Sequence, residues 1–165
     1  MFDSNLIQKS NLLFQLASKF NIKIAVAESC TAGLVAALIT EVSGSSAIFE
    51  RGFITYSDLA KEQLLNIDSN IIKKFGAVSF EVAEEMAIGA INNSISNLSV
   101  AITGIAGPGG GSEEKPVGLV YIASYLKLNN ELINKKFYFS GNRKEIRIAS
   151  VNAAIDILIN QIKQL

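Results

Sequence analysis

Three short apolar runs set the limits on what this chain can fold into: IKIAVAE at 22–28, LSVAIT at 98–103 and GLVYIASYL at 118–126. Each has the length and residue types of a buried strand. IFERGFITY at 48–56 alternates well enough for another, and LINKKFYFS at 132–140 pairs with its predecessor as a hairpin around Asn129 and Asn130. Helical spacing fills the gaps. Leu6, Leu13, Leu16, Ala17 and Phe20 define a helix over 4–20, and Thr31–Val42 is apolar on nearly every face. Ser57 or Asp58 caps a short helix ending at Leu65. A longer helix begins near Ser79, with Glu81, Glu84 and Glu85 at its positive end and Ala83, Met86, Ala87, Ala90 and Ile91 on one face. Residues 143–163 form the last helix. Strands mixed with helices from end to end predict an α/β sheet covered on both faces, and the hairpin makes that sheet mixed.

The chain has 165 residues, 49% of them hydrophobic, and shows no linker, repeat or low-complexity segment. One domain over 1–165 with a sizeable core is expected. Fifteen basic and fifteen acidic residues cancel without a basic block, so nucleic acid is not an expected partner. The single cysteine, Cys30, cannot close an internal disulfide, and MFDSNLIQKSNLLF lacks the basic start and apolar core of a signal peptide. Both point to a reducing cytoplasm. No apolar stretch reaches the roughly 18–20 residues needed to span a bilayer, so the positive mean hydropathy reports a buried core. Apolar helices can also pair between subunits, and a homo-oligomer, a dimer first, is the expected assembly.

The stretch AESCTAGLVAAL, 27–38, joins the first buried strand to the helix expected from Thr31. Ser29 falls at a strand end, where open α/β sheets place their ligands. Backbone N–H groups at a helix start can hold a phosphate or a developing oxyanion, and Gly33 permits close approach. The alternative is an ordinary N-cap, with Ser29 or Thr31 stabilising the helix by about 1 kcal/mol. Cys30 is a rival nucleophile but ranks below Ser29, because a buried cysteine usually acts as a small hydrophobe. The chain contains no histidine, so an activated serine must find another base.

Lysine, carboxylates and tyrosine are what remain. Lys61 follows Tyr56 in ITYSDLAKEQ near a helix N-terminus, where burial and the helix dipole would lower its pKa from about 10.4. A lysine at such a position is also commonly an ordinary solvated one. The loop TGIAGPGGGSEEKPVG at 103–118 holds six glycines in sixteen residues. Glycine is costly to order, so such a loop serves close approach to a ligand or positive φ, although GGGSEEK also suits a flexible connection. It matches neither G-x-x-x-x-G-K-[ST] nor G-x-G-x-x-G, which removes the NTPase and Rossmann readings.

The words AESCTAGL, GSS at 44–46, YSDLAK, GAVSFEVAEEMA, AITGIAGPGGGSEEKPVGLVYIA and GNR at 141–143 occur in the order seen in the CinA family. From about Glu28 to Arg143 the chain resembles the C-terminal CinA domain and the stand-alone nicotinamide-nucleotide amidases. The resemblance implies a three-layer α/β/α sandwich over a mixed, mostly parallel sheet, similar to anticodon-binding domains. It implies an amidohydrolase that converts nicotinamide mononucleotide to nicotinic acid mononucleotide and ammonia, with no cofactor. The family's serine falls on Ser29, and its tyrosine and lysine on Tyr56 and Lys61, which makes Lys61 the expected base and Tyr56 its bridge or orienting group. Substrate contacts are expected from Thr31, Gly33, Ser45, Ser46, Thr103, Gly104, Ala106, Gly107 and Arg143. Larger family members carry an N-terminal domain with metal-dependent activity; this sequence shows none, so no metal is expected. Two positions depart from the family pattern: Ala32 replaces the first glycine of a GG pair, and Asn142 replaces the aspartate of GDR, which bears on how Arg143 is oriented. The competing readings are a non-catalytic nucleotide-binding module and a partner-binding protein of competence or DNA repair.

Overall fold

The computed structural model describes residues 2–165; residue 1, the first of the N-terminal stretch read above, lies outside the described residues. Strands β1 (Ile24–Glu28), β2 (Phe49–Ile54), β3 (Leu98–Gly104), β4 (Leu119–Leu126) and β5 (Glu131–Tyr138) form one sheet in the order β2-β1-β3-β4-β5. β1 pairs in parallel with β2 and β3, while β4 is antiparallel to β3 and β5, so four strands share a direction and β4 alone opposes it. Helices α1 (Ser4–Lys19), α2 (Leu34–Thr40) and α6 (Arg143–Ile162) cover one face. Helices α3 (Asp58–Leu65), α4 (Ser69–Phe75) and α5 (Phe80–Asn92) cover the other, completing the three-layer sandwich.

Strand alternation gives the two faces different chemistry. Ile24, Val26, Leu98, Val100, Ile102, Val120 and Ile122 point towards α1, α2 and α6, and all are fully buried. Burying each such side chain stabilises by about 1.5–3 kcal/mol. Ala25, Ala27, Ala101 and Ala123 point the other way and meet Ala83, Met86, Ala87 and Ala90 of α5. Small residues on both surfaces let α5 approach closely. A Cβ on Gly89 of the same helix would meet the Leu65 carbonyl oxygen at 2.5 Å, so α3 also packs at backbone distance.

Three elements differ from the sequence expectation. α2 starts at Leu34 rather than Thr31, because Ala32 (φ 49) and Gly33 (φ 93) are left-handed and cannot be helical. β1 starts at Ile24, since Ile22 N–H bonds the Ala17 carbonyl and Lys23 N–H bonds Asn97 Oδ1 at 2.8 Å. α4 was not expected. Its Asp68 cap and terminating Gly76 are both in the sequence, but seven residues are too few for apolar periodicity to stand out. No helix among the described residues is long and apolar enough to cross a membrane.

Candidate active site

The carboxyl ends of the parallel strands β2, β1 and β3 meet at one edge of the sheet. Ser29 extends β1 by one residue: its N–H bonds the Ile102 carbonyl at 3.0 Å, continuing the β1–β3 ladder. Alternation then sorts the polar cluster. Ser29 follows Ala25 and Ala27 onto the small-residue face, while Glu28 and Cys30 turn towards α2 and the aliphatic core. The fully buried Glu28 carboxylate accepts from Gly33 N–H (2.9 Å), Val35 N–H (3.1 Å) and Ala36 N–H (2.9 Å). A strand residue thus caps α2, and neither Ser29 nor Thr31 does. The donors expected from a helix start belong instead to the turn 29–33. There the Ala32 N–H bonds the Ser29 carbonyl at 3.1 Å, and no backbone carbonyl among the described residues accepts the Cys30 or Thr31 N–H. Burial pushes the Cys30 thiol up to about 12, which keeps it neutral and removes it as a nucleophile.

Lys61 is not a solvated helix lysine: it is 1% exposed. The Ser57 hydroxyl caps α3, and the first turn delivers Lys61 over the small-residue face towards the end of β1. Its Nζ donates to the Thr55 carbonyl at 3.0 Å and stands 3.4 Å from Ser29 Oγ. Desolvation lowers the Lys61 pKa from the ordinary lysine value, with Asp58 and Cys30 opposing that shift. The arrangement is a nearly buried hydroxyl beside an amine whose neutral form burial favours.

Tyr56, 59% exposed, lies on the same cleft, but its hydroxyl accepts from Arg143 Nη2 at 3.0 Å and hydrogen-bonds neither Ser29 nor Lys61. Arg143 Nη1 donates to the Gly107 carbonyl at 2.8 Å, joining Tyr56 to the glycine-rich loop. Asn142, in place of the family's aspartate, caps α6. Its Oδ1 accepts from Lys144 and Glu145 N–H, and Glu145 Oε2 accepts from Asn142 N–H at 2.7 Å, so α6 and Arg143 are firmly placed.

The loop after β3 forms the far wall. The Thr103 hydroxyl donates to the Ala77 carbonyl at 2.7 Å, and Lys115 Nζ donates to the Phe75 and Val78 carbonyls at 2.8 Å each. These ties fasten the loop to the α4–α5 connection. Some of its glycines serve the loop's own packing: Gly107 has φ 74, and a Cβ there would meet Val117 Cγ1 at 2.6 Å. The Gly109 and Gly110 N–H groups bond no backbone carbonyl among the described residues. Together these segments enclose a cleft of about 270 Å³.

Ser29, Tyr56, Lys61, Thr103, Gly104, Ala106, Gly107 and Arg143 all line that cleft. Thr31 and Gly33 do not; they build the turn behind Ser29, and the buried Thr31 hydroxyl has no hydrogen-bond partner among the described residues. Ser45 and Ser46 lie at the opposite edge of the sheet, in a 3-10 turn beside the start of β1, where the Ser46 carbonyl accepts from Lys23 Nζ. Sequence reasoning missed Arg147, whose guanidinium grips the turn after Ser29, and the Lys115 anchor. Only the one-turn spacing from Arg143 on a helix could have flagged Arg147. No group of three or more His, Cys, Asp or Glu residues suited to a metal lies among the described residues.

Fold and site together define a small α/β/α protein whose cleft pairs a strand-end serine with a buried lysine. The chain belongs to the CinA family: residues 7–162 match the CinA C-terminal domain. It is 44% identical over 164 residues to nicotinamide-nucleotide amidohydrolase PncC of Escherichia coli, covering 99% of each chain. It is 48% identical over 151 residues to a CinA-like protein of Prochlorococcus marinus, covering 90% of this chain. The chain spans 35% of the length of that relative and of two others from Caldicellulosiruptor. Among solved structures it is similar to competence/damage inducible protein CihA from Agrobacterium tumefaciens, with a TM-score of 0.94, 41% identity and 97% of each chain covered.

Proposed function

We propose that this cleft hydrolyses the carboxamide of nicotinamide mononucleotide, releasing nicotinic acid mononucleotide and ammonia. The observation that carries this reading is Lys61 Nζ, desolvated and 3.4 Å from Ser29 Oγ. The activity for which the Escherichia coli relative is named supports the choice of substrate. Neutral Lys61 keeps one N–H on the Thr55 carbonyl and uses its lone pair to take the Ser29 proton, a contact that tightens as substrate binds. Ser29 Oγ attacks the carboxamide carbon, and the carbonyl electron pair moves onto oxygen, facing the N–H groups of Cys30 and Thr31. Removing one such donor costs about 3 kcal/mol of transition-state stabilisation. Collapse expels the amide nitrogen, which leaves as ammonia with a proton from the Lys61 ammonium. Water, deprotonated by Lys61, then attacks the acyl-enzyme and returns Ser29.

The phosphate rests on the Arg143 guanidinium and the loop N–H groups of Gly107, Gly109 and Gly110. Tyr56, held by Arg143, orients the substrate beside the serine–lysine pair rather than bridging it. Ser45 and Ser46 have no part in this reading. Residues 1–165 act as one domain in the cytoplasm, using only groups of this chain for the chemistry. Exposed Ile54, Leu59 and Leu64 near the β2 edge support a homodimer.

The test is ammonia release from nicotinamide mononucleotide by the purified protein. Ser29→Ala lowers kcat by about 10³-fold or more and still binds the nucleotide. Full activity in Ser29→Ala refutes the covalent route, and wild-type binding without ammonia release favours a non-catalytic nucleotide-binding module.

A further inference from the structure

We propose that Arg147 is a positioning residue that sets the oxyanion-binding peptides beside Ser29. Arg147 lies one helical turn beyond Arg143 on α6, behind the nucleophile turn rather than in the cleft. Its Nε donates to the Cys30 carbonyl at 3.1 Å and its Nη2 to the Thr31 carbonyl at 2.8 Å. Half-buried, it forms no ion pair among the described residues. A planar guanidinium therefore directs its fork at two successive backbone carbonyls that immediately follow the serine.

Those carbonyls belong to the peptide units that matter. A trans peptide is planar, with its C=O and N–H pointing in opposite directions. Gripping the Cys30 carbonyl from the α6 side turns the Thr31 N–H the other way, and that N–H has no acceptor among the described residues. The Cys30 N–H, which bonds no backbone carbonyl among the described residues, belongs to the preceding peptide. The carbonyl of that peptide is fixed by the Ala32 N–H, 3.1 Å away, and Ala32 N–H is in the peptide whose carbonyl Arg147 holds from the other side. Glu28 secures the far end of the same turn through Gly33 N–H. Arg147 and Glu28 thus clamp it from opposite ends, and the guanidinium draws electron density from the carbonyls, making the conjugated N–H groups better donors. The inference rests on the amidase reading for its reaction but not for its geometry.

The test compares wild type, Arg147→Ala and Arg147→Lys in kcat and KM for nicotinamide mononucleotide. It also measures the rate at which a fluorophosphonate labels Ser29, and the unfolding midpoint of each protein. Arg147→Ala is expected to lower kcat and the labelling rate by about 10²-fold, with KM changed less than about threefold. Arg147→Lys keeps the charge and stem but not the fork, so it recovers less than about a tenth of the lost rate at a near-native unfolding midpoint. Should Arg147→Ala fail to fold, Arg147→Lys carries the test alone. Wild-type kcat in Arg147→Lys, or a loss expressed only in KM, overturns the proposal. A wild-type protein that is labelled at Ser29 but releases no ammonia overturns the amidase reading alone, and the labelling rates still decide the role of Arg147. A wild type that cannot be labelled overturns both.

Discussion

On one face of the sheet stand Ile24, Val26, Val100 and Ile102; on the other, one residue along each strand, stand Ala25, Ala27, Ser99 and Ala101. The aliphatic face packs against α1, α2 and α6 and contains the larger share of the core. The small-residue face brings α5 near enough for the Ser99 hydroxyl to bond the Ala87 carbonyl at 2.7 Å. Beside α5 lies α3, which extends Lys61 to Ser29. Even the polar cluster obeys the division. Glu28 and Cys30 turn to the aliphatic face, where one caps a helix and the other is held neutral; Ser29 turns to the other face and meets the lysine. Stability is concentrated on one side of the sheet and chemistry at the end of the other, so the two should respond separately to substitution.

The largest contrast should come from Ile122, fully buried on the aliphatic face of β4 and not among the residues that line the cleft. Ile122→Ala is expected to lower the unfolding free energy by about 2–5 kcal/mol, measured by urea denaturation, and to leave kcat per folded molecule unchanged. A collapse of kcat would break the separation. Ala101→Leu overpacks the opposite face beneath α5 and is expected to cost about 1–3 kcal/mol. It should also raise KM, because displacing α5 moves Ala77 and Val78 in the cleft wall. The smallest effect belongs to the turn between the faces. Ala32 sits at φ 49, so Ala32→Gly is expected to raise stability by about 1 kcal/mol, visible as a higher unfolding midpoint with kcat retained. A drop in the midpoint would mean that the turn is not strained there.

Much of the division could be read directly from IAVAESC. Period-two alternation places Ile24 and Val26 opposite Ala25 and Ala27, and the same count separates Ser29 from Glu28 and Cys30. The strands, their hairpin, and the helices α1, α3, α5 and α6 were legible for the same reason: their periodicity is long or their caps are local. The start of α2 was not, since Ala32 offers no sign that its backbone is left-handed and the cap comes from Glu28, five residues before Gly33. Motif order marked Lys61, but its burial is a tertiary fact made by α3 crossing the strand ends. Ser45 and Ser46 were expected at the site from the family resemblance, and the parallel crossover places them at the amino-terminal edge of the sheet, outside the cleft lining. Arg147 carries no signal beyond its one-turn spacing from Arg143, because its partners are backbone carbonyls more than a hundred residues away.

The central claim, that burial makes Lys61 the base for Ser29, is tested most directly by the pH dependence of kcat/KM for nicotinamide mononucleotide. A base acts only when deprotonated, so kcat/KM should rise about tenfold per pH unit and level off at a pKa below the ordinary lysine value of about 10.4. Lys61→Met, run in parallel, should lose that rising limb together with about 10²–10⁴-fold in rate. A wild-type profile that stays flat between about pH 5 and 9, or a Lys61→Met profile that keeps the wild-type limb, would contradict the account.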